Sequence, residues 1–339
     1  MEKILTVVIP AYNAQDFLHK NLASFCCTEI LKDIDILIVD DGSTDNTRSI
    51  AEQYVCQYPD SFRLISKENG GHGSGINTGI KYAKGQYFKV VDADDWLDTD
   101  AFVKLVQMLK TCQADIVYSG FLWAIETKSN AKRSFKTKAE FRKPFKGVNY
   151  KKTYLFDDVA DLLYMKMHNM TIRTDILREN HIQIDEHCYY VDMEFITYPI
   201  PYVKTISFMN DTVYYYRIGR SGQSVSLEKM QNNEANYDKV LRSLLNYYVR
   251  LGSEIDCSLP KKRYIASLIA RAVASKTKIM LSFPSKYDKR QKLEYFDTAL
   301  LRKFPDIYEA NRNFGVSLLR KTHYVLFPAA SFFVKIIYS

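Results

Sequence analysis

The sequence predicts an α/β protein: a Rossmann-like, mostly parallel sheet flanked by helices, followed by a helical C-terminal region. Three observations carry that expectation. From Leu5 to Tyr118, short β-branched runs alternate with segments of helical period, the pattern of parallel βαβ units. Two of the runs stop on clustered carboxylates, Asp40-Asp41 and Asp92-Ala93-Asp94-Asp95. Ligands in open α/β sheets sit beyond the carboxyl ends of the strands. A glycine-rich loop, Asn69–Gly75, opens a helix between those two runs.

Each element has a local cause. Leu5-Thr6-Val7-Val8-Ile9 is a β-branched strand that Pro10 ends, and Pro10-Ala11-Tyr12-Asn13 follows as a turn. Phe17, Leu18, Leu22 and Phe25 recur at three-and-four spacing and predict a helix from about Asp16 to Cys27. Asp35–Asp40 is a second buried strand. Gly42-Ser43-Thr44-Asp45 is turn and helix-cap chemistry, leading into a helix to about Tyr58. Phe62–Ser66 is a third strand, and the glycine loop starts a helix that runs through Lys84. Tyr87–Val91 is a fourth, buried strand. A helix at Thr99–Lys110 and a strand at Asp115–Tyr118 complete the alternation.

The fourth strand ends on Asp92, Asp94 and Asp95. Carboxylates this crowded repel each other unless something positive neutralises them. A divalent cation of the Mg²⁺ or Mn²⁺ type does so, taking oxygen ligands and bridging to phosphates. The competing expectation is a solvated turn that caps the next helix. No G-x-G-x-x-G follows the first strand and no G-K-[ST] follows the glycine loop. Dinucleotide-binding enzymes and P-loop kinases are disfavoured accordingly.

Four segments in order carry a resemblance. They are Val8-Ile9-Pro10-Ala11-Tyr12-Asn13, Val39-Asp40-Asp41-Gly42-Ser43-Thr44-Asp45, Asn69-x-Gly71 with Asn77-x-Gly79, and Asp92-Ala93-Asp94-Asp95. Together they resemble the family-two glycosyltransferases of GT-A fold. The resemblance implies inverting transfer of a sugar from a nucleotide diphosphate sugar, a UDP-sugar by preference, with Mn²⁺ or Mg²⁺. It implies that Pro10, Ala11 and Tyr12 line the base and ribose pocket, with Asn13 and Asp40 beside them. Asp41 would accept a hydrogen bond from the base. Asp92 would hold the ribose or the metal's water shell, and Asp94, beyond Ala93, would ligate the metal. Gly71 and Gly73 would let backbone approach the donor, with Asn77 pinning their loop. Ser43 and Thr44 read as caps, and Lys67 as a solvated strand-end lysine. One departure stands out: Gly75-Ile76 occupies the place where many relatives carry Ala-Arg, so an arginine is missing and His72 is a candidate substitute.

The second half begins with a basic segment. From Glu126 to Lys152, ten Lys and Arg face only Glu126 and Glu140. That predicts a hairpin or extended loop, either merely solvated or in contact with anionic lipid or a pyrophosphate-linked acceptor. A helix at Tyr154–Met167, a strand at Asn169–Ile172 and a helix at Thr174–Asn180 follow. Ile184–Phe195 resembles the acceptor-side motif of the same family, an acidic pair followed by an aromatic; Val191 replaces its Glu and Asp192 keeps the second place. An inverting transferase needs a carboxylate to deprotonate the acceptor hydroxyl. Asp192 is the candidate and Glu194 the competitor, although a helix turns Glu194 away from Asp192. A helix-start acid favoured by the dipole is the alternative for Asp192. Asp185 and Glu186 read as positioning residues. Tyr214–Ser226 resembles a tyrosine-rich strand leading into a basic loop, where Arg217 and Arg220 would pair with diphosphate oxygens. Gly219 and Gly222 would give that loop the mobility of a lid. The three tyrosines read as sheet packing.

Helices are predicted at Ala235–Leu251, from Ser258-Leu259-Pro260 to about Leu281, and at Leu293–Phe304. The tail, Arg320–Tyr338, is apolar and aromatic with flanking cations, and Pro328 interrupts it. It reads as an interfacial anchor, with a self-packed helix or a dimer contact as alternatives. The expected organisation is a donor half (1–125), an acceptor half (126–228, with the basic insertion 126–152) and a helical region (229–339, tail 320–339). The 339 residues carry a net charge of +8, which suits anionic substrates or a membrane surface; no nucleic-acid module is present. Six scattered cysteines without C-x-x-C spacing argue for reduced thiols in a cytosolic setting. Met1-Glu2-Lys3 runs straight into a strand, without a signal-peptide pattern. The expected partners are a nucleotide sugar, a lipid-linked or polymeric glycan acceptor and the inner face of the cell membrane. Competing functions are a sugar nucleotidyltransferase, whose usual glycine-rich N-terminal signature is absent, and a non-catalytic glycan-binding scaffold.

Overall fold

The computed structural model describes residues 3–129, 132–139, 148–150, 152–219, 223, 226–284 and 289–338. It divides into two compact units, Met1–Arg220 and Ser221–Ser339.

The first unit opens with strand β1 (Lys3–Ala11), helix α1 (Gln15–Ala23), β2 (Ile34–Asp40), α2 (Thr47–Gln57), β3 (Phe62–Ser66), α3 (His72–Tyr82) and β4 (Gly85–Val90). β1, β2, β3 and β4 are parallel, in the order β3-β2-β1-β4. Leu5–Ala11 of β1 and all of β2 are buried on both faces, as in a sheet covered by helices on each side. Register sets Ala11 opposite Asp40, and the Val91 N–H bonds to the Val8 carbonyl. The carboxyl ends of β1, β2 and β4 therefore share one edge. α1 is shorter than its sequence pattern; it stops at Ala23, and Phe25 is buried from the turn beyond.

Past β4 the sheet is mixed. The remaining elements of the unit are β5 (Trp96–Leu97), α4 (Thr99–Leu109), β6 (Ile116–Ser129), β7 (Lys132–Ala139), β8 (Thr153–Leu155), α5 (Phe156–Val159), β9 (Met170–Arg173), α6 (Thr174–Glu179), α7 (Asp192–Thr197) and β10 (Thr205–Ile218). β9 lies between β4 and β6 and runs antiparallel to both. Reversal has a consequence for the site: the start of β9 lies at the edge where β4 ends. β10 runs parallel to β6. The basic segment does begin as a hairpin, β6 against β7; Arg142, Lys143, Lys146 and Lys151 lie outside the described residues.

Tyr154–Met167 is not a helix. Thr153–Leu155 pairs with β10 and the Phe156 N–H bonds to the Lys204 carbonyl, so long-range pairing overrides local propensity. Beyond the short α5, Leu163, Met165 and Met167 are buried in alternation, an extended period that a helical pattern obscures.

The second unit is helical: α8 (Leu227–Asn232), α9 (Glu234–Arg250), α10 (Leu259–Ser282), α11 (Lys289–Lys303), α12 (Pro305–Ala310), α13 (Phe314–Lys321) and α14 (Phe327–Tyr338). Ser258 caps α10 by accepting from the Lys261 N–H, with Pro260 in the first turn. α9 buries Tyr237, Val240, Leu241, Leu244 and Tyr248, one helical stripe. No helix among the described residues is long and apolar enough to cross a membrane.

Candidate active site

The glycine loop is locked from two sides. Asp41 is buried at the end of β2. Its Oδ1 accepts from the Gly70 N–H (2.9 Å) and from Lys67 Nζ (2.9 Å), and its Oδ2 from the Gly71 N–H (2.7 Å). Lys67 is thus an ion-pair partner rather than a solvated lysine. Asp40 caps the neighbouring turn through the Ser43 N–H (3.0 Å), while Asn13, at φ 48°, accepts from the Thr44 N–H (2.9 Å). Opposite, the His187 N–H donates to the Gly70 carbonyl. Gly71 sits at φ 83°, where a side chain is strained. A Cβ on Gly73 would lie 2.1 Å from the Asp185 carbonyl oxygen. Asn77 completes the clamp: its Nδ2 donates to the Ile184 carbonyl (2.9 Å) and Glu186 Oε1 (3.0 Å), and its Oδ1 accepts from the Ile184 N–H (2.9 Å).

The acidic turn after β4 is braced by residues far away in sequence. Asn21 Nδ2 donates to the carbonyls of Asp92 and Asp95, each at 3.0 Å. The Tyr214 hydroxyl donates to Asp95 Oδ2 (2.6 Å) and accepts from the Asp92 N–H (3.2 Å). The Arg217 N–H donates to Asp95 Oδ1 (2.7 Å), and Arg217 Nε to the Asp94 carbonyl (2.7 Å). Asp95 is therefore an internal brace. Burial, then the charges of Asp94 and Asp92, push its carboxyl well above the usual carboxylate range. Asp92 faces the other way, onto His72 Nε2 at 2.8 Å. Burial opposes ionisation of this pair, but each partner's charge outweighs it: His72 is raised and Asp92 lowered.

His168 enters because β9 is reversed. Its ring packs at 4.4 Å on Tyr216 and 4.7 Å on Tyr214. Burial, reinforced by Lys166 and Lys89, lowers it to about 3, so the imidazole is neutral. Its Nδ1 is buried without a hydrogen-bond partner. Lys89, fully buried beneath, donates to the His168 carbonyl at 2.8 Å and is lowered by burial to about 7. Ligand atoms of Asp92, Asp95 and His168 lie within 4.8 Å of one another. Crowded carboxylates, one of them forced towards protonation, beside the unpartnered Nδ1 of a neutral imidazole, fit a divalent cation. The Asp94 side chain, half-buried, belongs to the same turn.

Asp192 begins α7 and is exposed to solvent. Protein crowds it enough that burial, and then the Asp92 charge, push its carboxyl up to about 6, although nearby His72 pulls the other way. Glu194, two residues on, is fully buried; its Oε2 accepts from the Asp185 N–H (2.8 Å), and burial raises it to about 7.

Arg217 is buried, its guanidinium 4.8 Å from the Phe17 ring, 5.2 Å from Trp96 and 5.1 Å from Phe135. Lys20 Nζ lies 3.2 Å over Trp96, and burial, with Arg217 beside it, lowers Lys20 to about 8. Two cations thus share one aromatic box.

Pro10 and Ala11 end β1, and exposed Tyr12 follows them. Asp92 is brought to His72, and the charges of Asp94 and Asp192 also act on that ring. Arg217 is directed at the Asp94 backbone. Arg220 lies outside the described residues. Sequence reasoning missed Asn21, Lys89, His168 and the Tyr214 hydroxyl. The isolated lysine in the apolar run Tyr87–Val91 was the available signal for Lys89; the others carry none that is local.

The comparisons agree with this architecture. A family model described as glycosyl transferase family 2 matches residues 6–177. The chain is 36% identical over 121 residues to the uncharacterized glycosyltransferase EpsJ of Bacillus subtilis, covering 36% of this chain and 35% of that one. It is 29% identical over 228 residues to the poly(ribitol-phosphate) beta-glucosyltransferase of Bacillus spizizenii, covering 66% and 33%. It thus spans about a third of either relative's length. Among solved structures, S. aureus TarS 1–349 in complex with UDP superposes with a TM-score of 0.51 at 18% identity, covering 98% of this chain and 88% of that one. That likeness is one of fold.

Proposed function

Since this chain belongs to glycosyl transferase family 2, we propose that it transfers a sugar, with inversion, from a UDP-sugar to a hydroxyl of a lipid-linked or polymeric glycan in cell-surface polysaccharide assembly. The observation that carries the reading is the convergence on one sheet edge of three things: the Asp41-locked glycine loop, the acidic turn Asp92–Asp95, and an exposed carboxylate, Asp192, whose affinity for a proton is raised.

In this reading Pro10, Ala11 and Tyr12 border the base and ribose. Asp41 contributes by holding Gly70 and Gly71, since both its oxygens already accept hydrogen bonds. Asp92 and Asp94 would hold Mn²⁺ or Mg²⁺, and a ring nitrogen of His168 lies within 4.8 Å of an Asp92 carboxylate oxygen. A divalent cation held there would neutralise charge on the departing diphosphate. Asp95, Tyr214 and Asn21 keep the turn in one geometry, so its carboxylates need not reorganise. Asp192 takes the proton from the acceptor hydroxyl as that oxygen attacks the anomeric carbon. A carboxylate near 6 is mostly ionised at neutral pH and a stronger base than an ordinary aspartate. The uridine preference is carried over from the UDP complex of TarS, and the polymeric acceptor from the name of the ribitol-phosphate enzyme. A membrane-peripheral place in the cytoplasm suits a lipid-linked acceptor.

Release of UDP from a panel of UDP-sugars, with extracted membrane lipids and wall polymers as acceptors, tests it. Asp192→Asn is expected to bind donor as the wild type does and to lose roughly 10²–10⁴ of the transfer rate. Turnover near wild type in that variant removes Asp192 from the mechanism.

A further inference from the structure

The C-terminal tail is a two-faced helix. Along α14, Phe327, Ala330, Ser331 and Val334 recur at helical spacing and face inward. The Ser331 hydroxyl donates to the Leu281 carbonyl of α10 at 2.7 Å. Just before α14, the turn is held by Asp297, which accepts from Arg320 (2.6 and 2.8 Å) and from the Tyr324 hydroxyl (2.5 Å). The outward stripe is where an ordinary surface helix carries charge. Here it presents Phe332, Phe333 and Ile336, exposed by 61%, 60% and 57%. Phe314 at 80%, Val325 at 65% and Leu326 add to the exposed apolar surface of this region. By contrast the exposed side of α9 carries Lys239, Arg242, Asn246 and Arg250.

Charge says what would cover such a face. From Arg312 to Ser339 the sequence holds no Asp or Glu, but it holds Arg312, Lys321 and Lys335, besides Arg320, whose charge Asp297 offsets. A second copy would bring like charges together, whereas acidic headgroups over acyl chains match both features. Among the described residues no helix is both long and apolar enough to span.

We propose that this outward face of α13 and α14, centred on Phe332 and Phe333, lies on the surface of an anionic lipid bilayer, its aromatic rings at the headgroup boundary and Lys321 and Lys335 against lipid phosphates. It extends the membrane-peripheral part of the reading above and no other part. Vesicle binding is measured without nucleotide, metal or acceptor, so either reading can fail alone.

The experiment is flotation of the full chain with phosphatidylcholine vesicles, with and without phosphatidylglycerol, at low and high salt. Wild type is expected to float with the phosphatidylglycerol vesicles, weakly with the others, and less in high salt. The double variant Phe332→Glu/Phe333→Glu should partition roughly tenfold less or worse. Both side chains are exposed, so unchanged circular dichroism and Tm are expected. Val249→Glu, a change at an equally exposed apolar position of α9, should float as wild type does. Failure of wild type to float, equal flotation of the double variant, or a wild-type dimer in light scattering that the double variant splits would each overturn the proposal.

Discussion

Asp192 and Glu194 stand two positions apart and have opposite surroundings. The helix that starts at Asp192 leaves that carboxylate open to solvent and turns Glu194 into the core. Both are raised, but with different consequences. Protonated Asp192 cannot accept a proton, so the transfer rate should fall as pH drops through about 6; pH profiles of kcat/KM check this. Glu194 affects stability instead. Its folded value of about 7 lies above its ordinary 4.5. Between those values the folded chain keeps a proton that the unfolded chain has released. Its contribution is fully present below the ordinary value and is lost as pH rises to about 7. Glu194→Gln keeps an acceptor for the Asp185 N–H and carries no charge to desolvate. Denaturant titrations should find the variant more stable at pH 8 by up to about 3 kcal/mol, and level with wild type in acid.

At the scale of elements, the site is made where α3 meets the segment 184–188. Gly73 is the tightest point, since an added Cβ would meet the Asp185 carbonyl at 2.1 Å. Gly73→Ala must push backbone from backbone, which costs about 1–3 kcal/mol. The displaced segment leads into α7, so a lower Tm and a raised acceptor KM are expected together, with donor affinity much less changed. Antiparallel β9 is the other decisive element. It carries His168 to the acidic turn and fills the gap between β4 and β6.

At the scale of the molecule, what was legible in the sequence was what is local. Val39-Asp40-Asp41 and Asp92-Ala93-Asp94-Asp95 each hold a strand and its terminal acids in a few residues, and parallel pairing sets those ends level. The mixed half was harder to read. β9 inserts between strands that precede it in sequence, and nothing near His168 announces Asp92. Tyr214 resembles any packed strand tyrosine until its hydroxyl is found on Asp95. Local periodicity also misled at Tyr154–Met167, where pairing with β10 decided the conformation. In the helical unit, caps and periods sufficed, as at Ser258 and Pro260.

We propose above that the edge formed by Asp92 and Asp94 holds a nucleoside diphosphate together with a divalent cation. Thermal unfolding with UDP, GDP or CDP, each with and without Mn²⁺, on wild type and Asp94→Ala, tests it most directly. A ligand at about 100 times its Kd adds about 2.7 kcal/mol, enough to raise Tm by a few degrees. Stabilisation by UDP that needs both Mn²⁺ and Asp94 is expected. Absence of any shift with all three nucleotides, or an equal shift in Asp94→Ala, would contradict it.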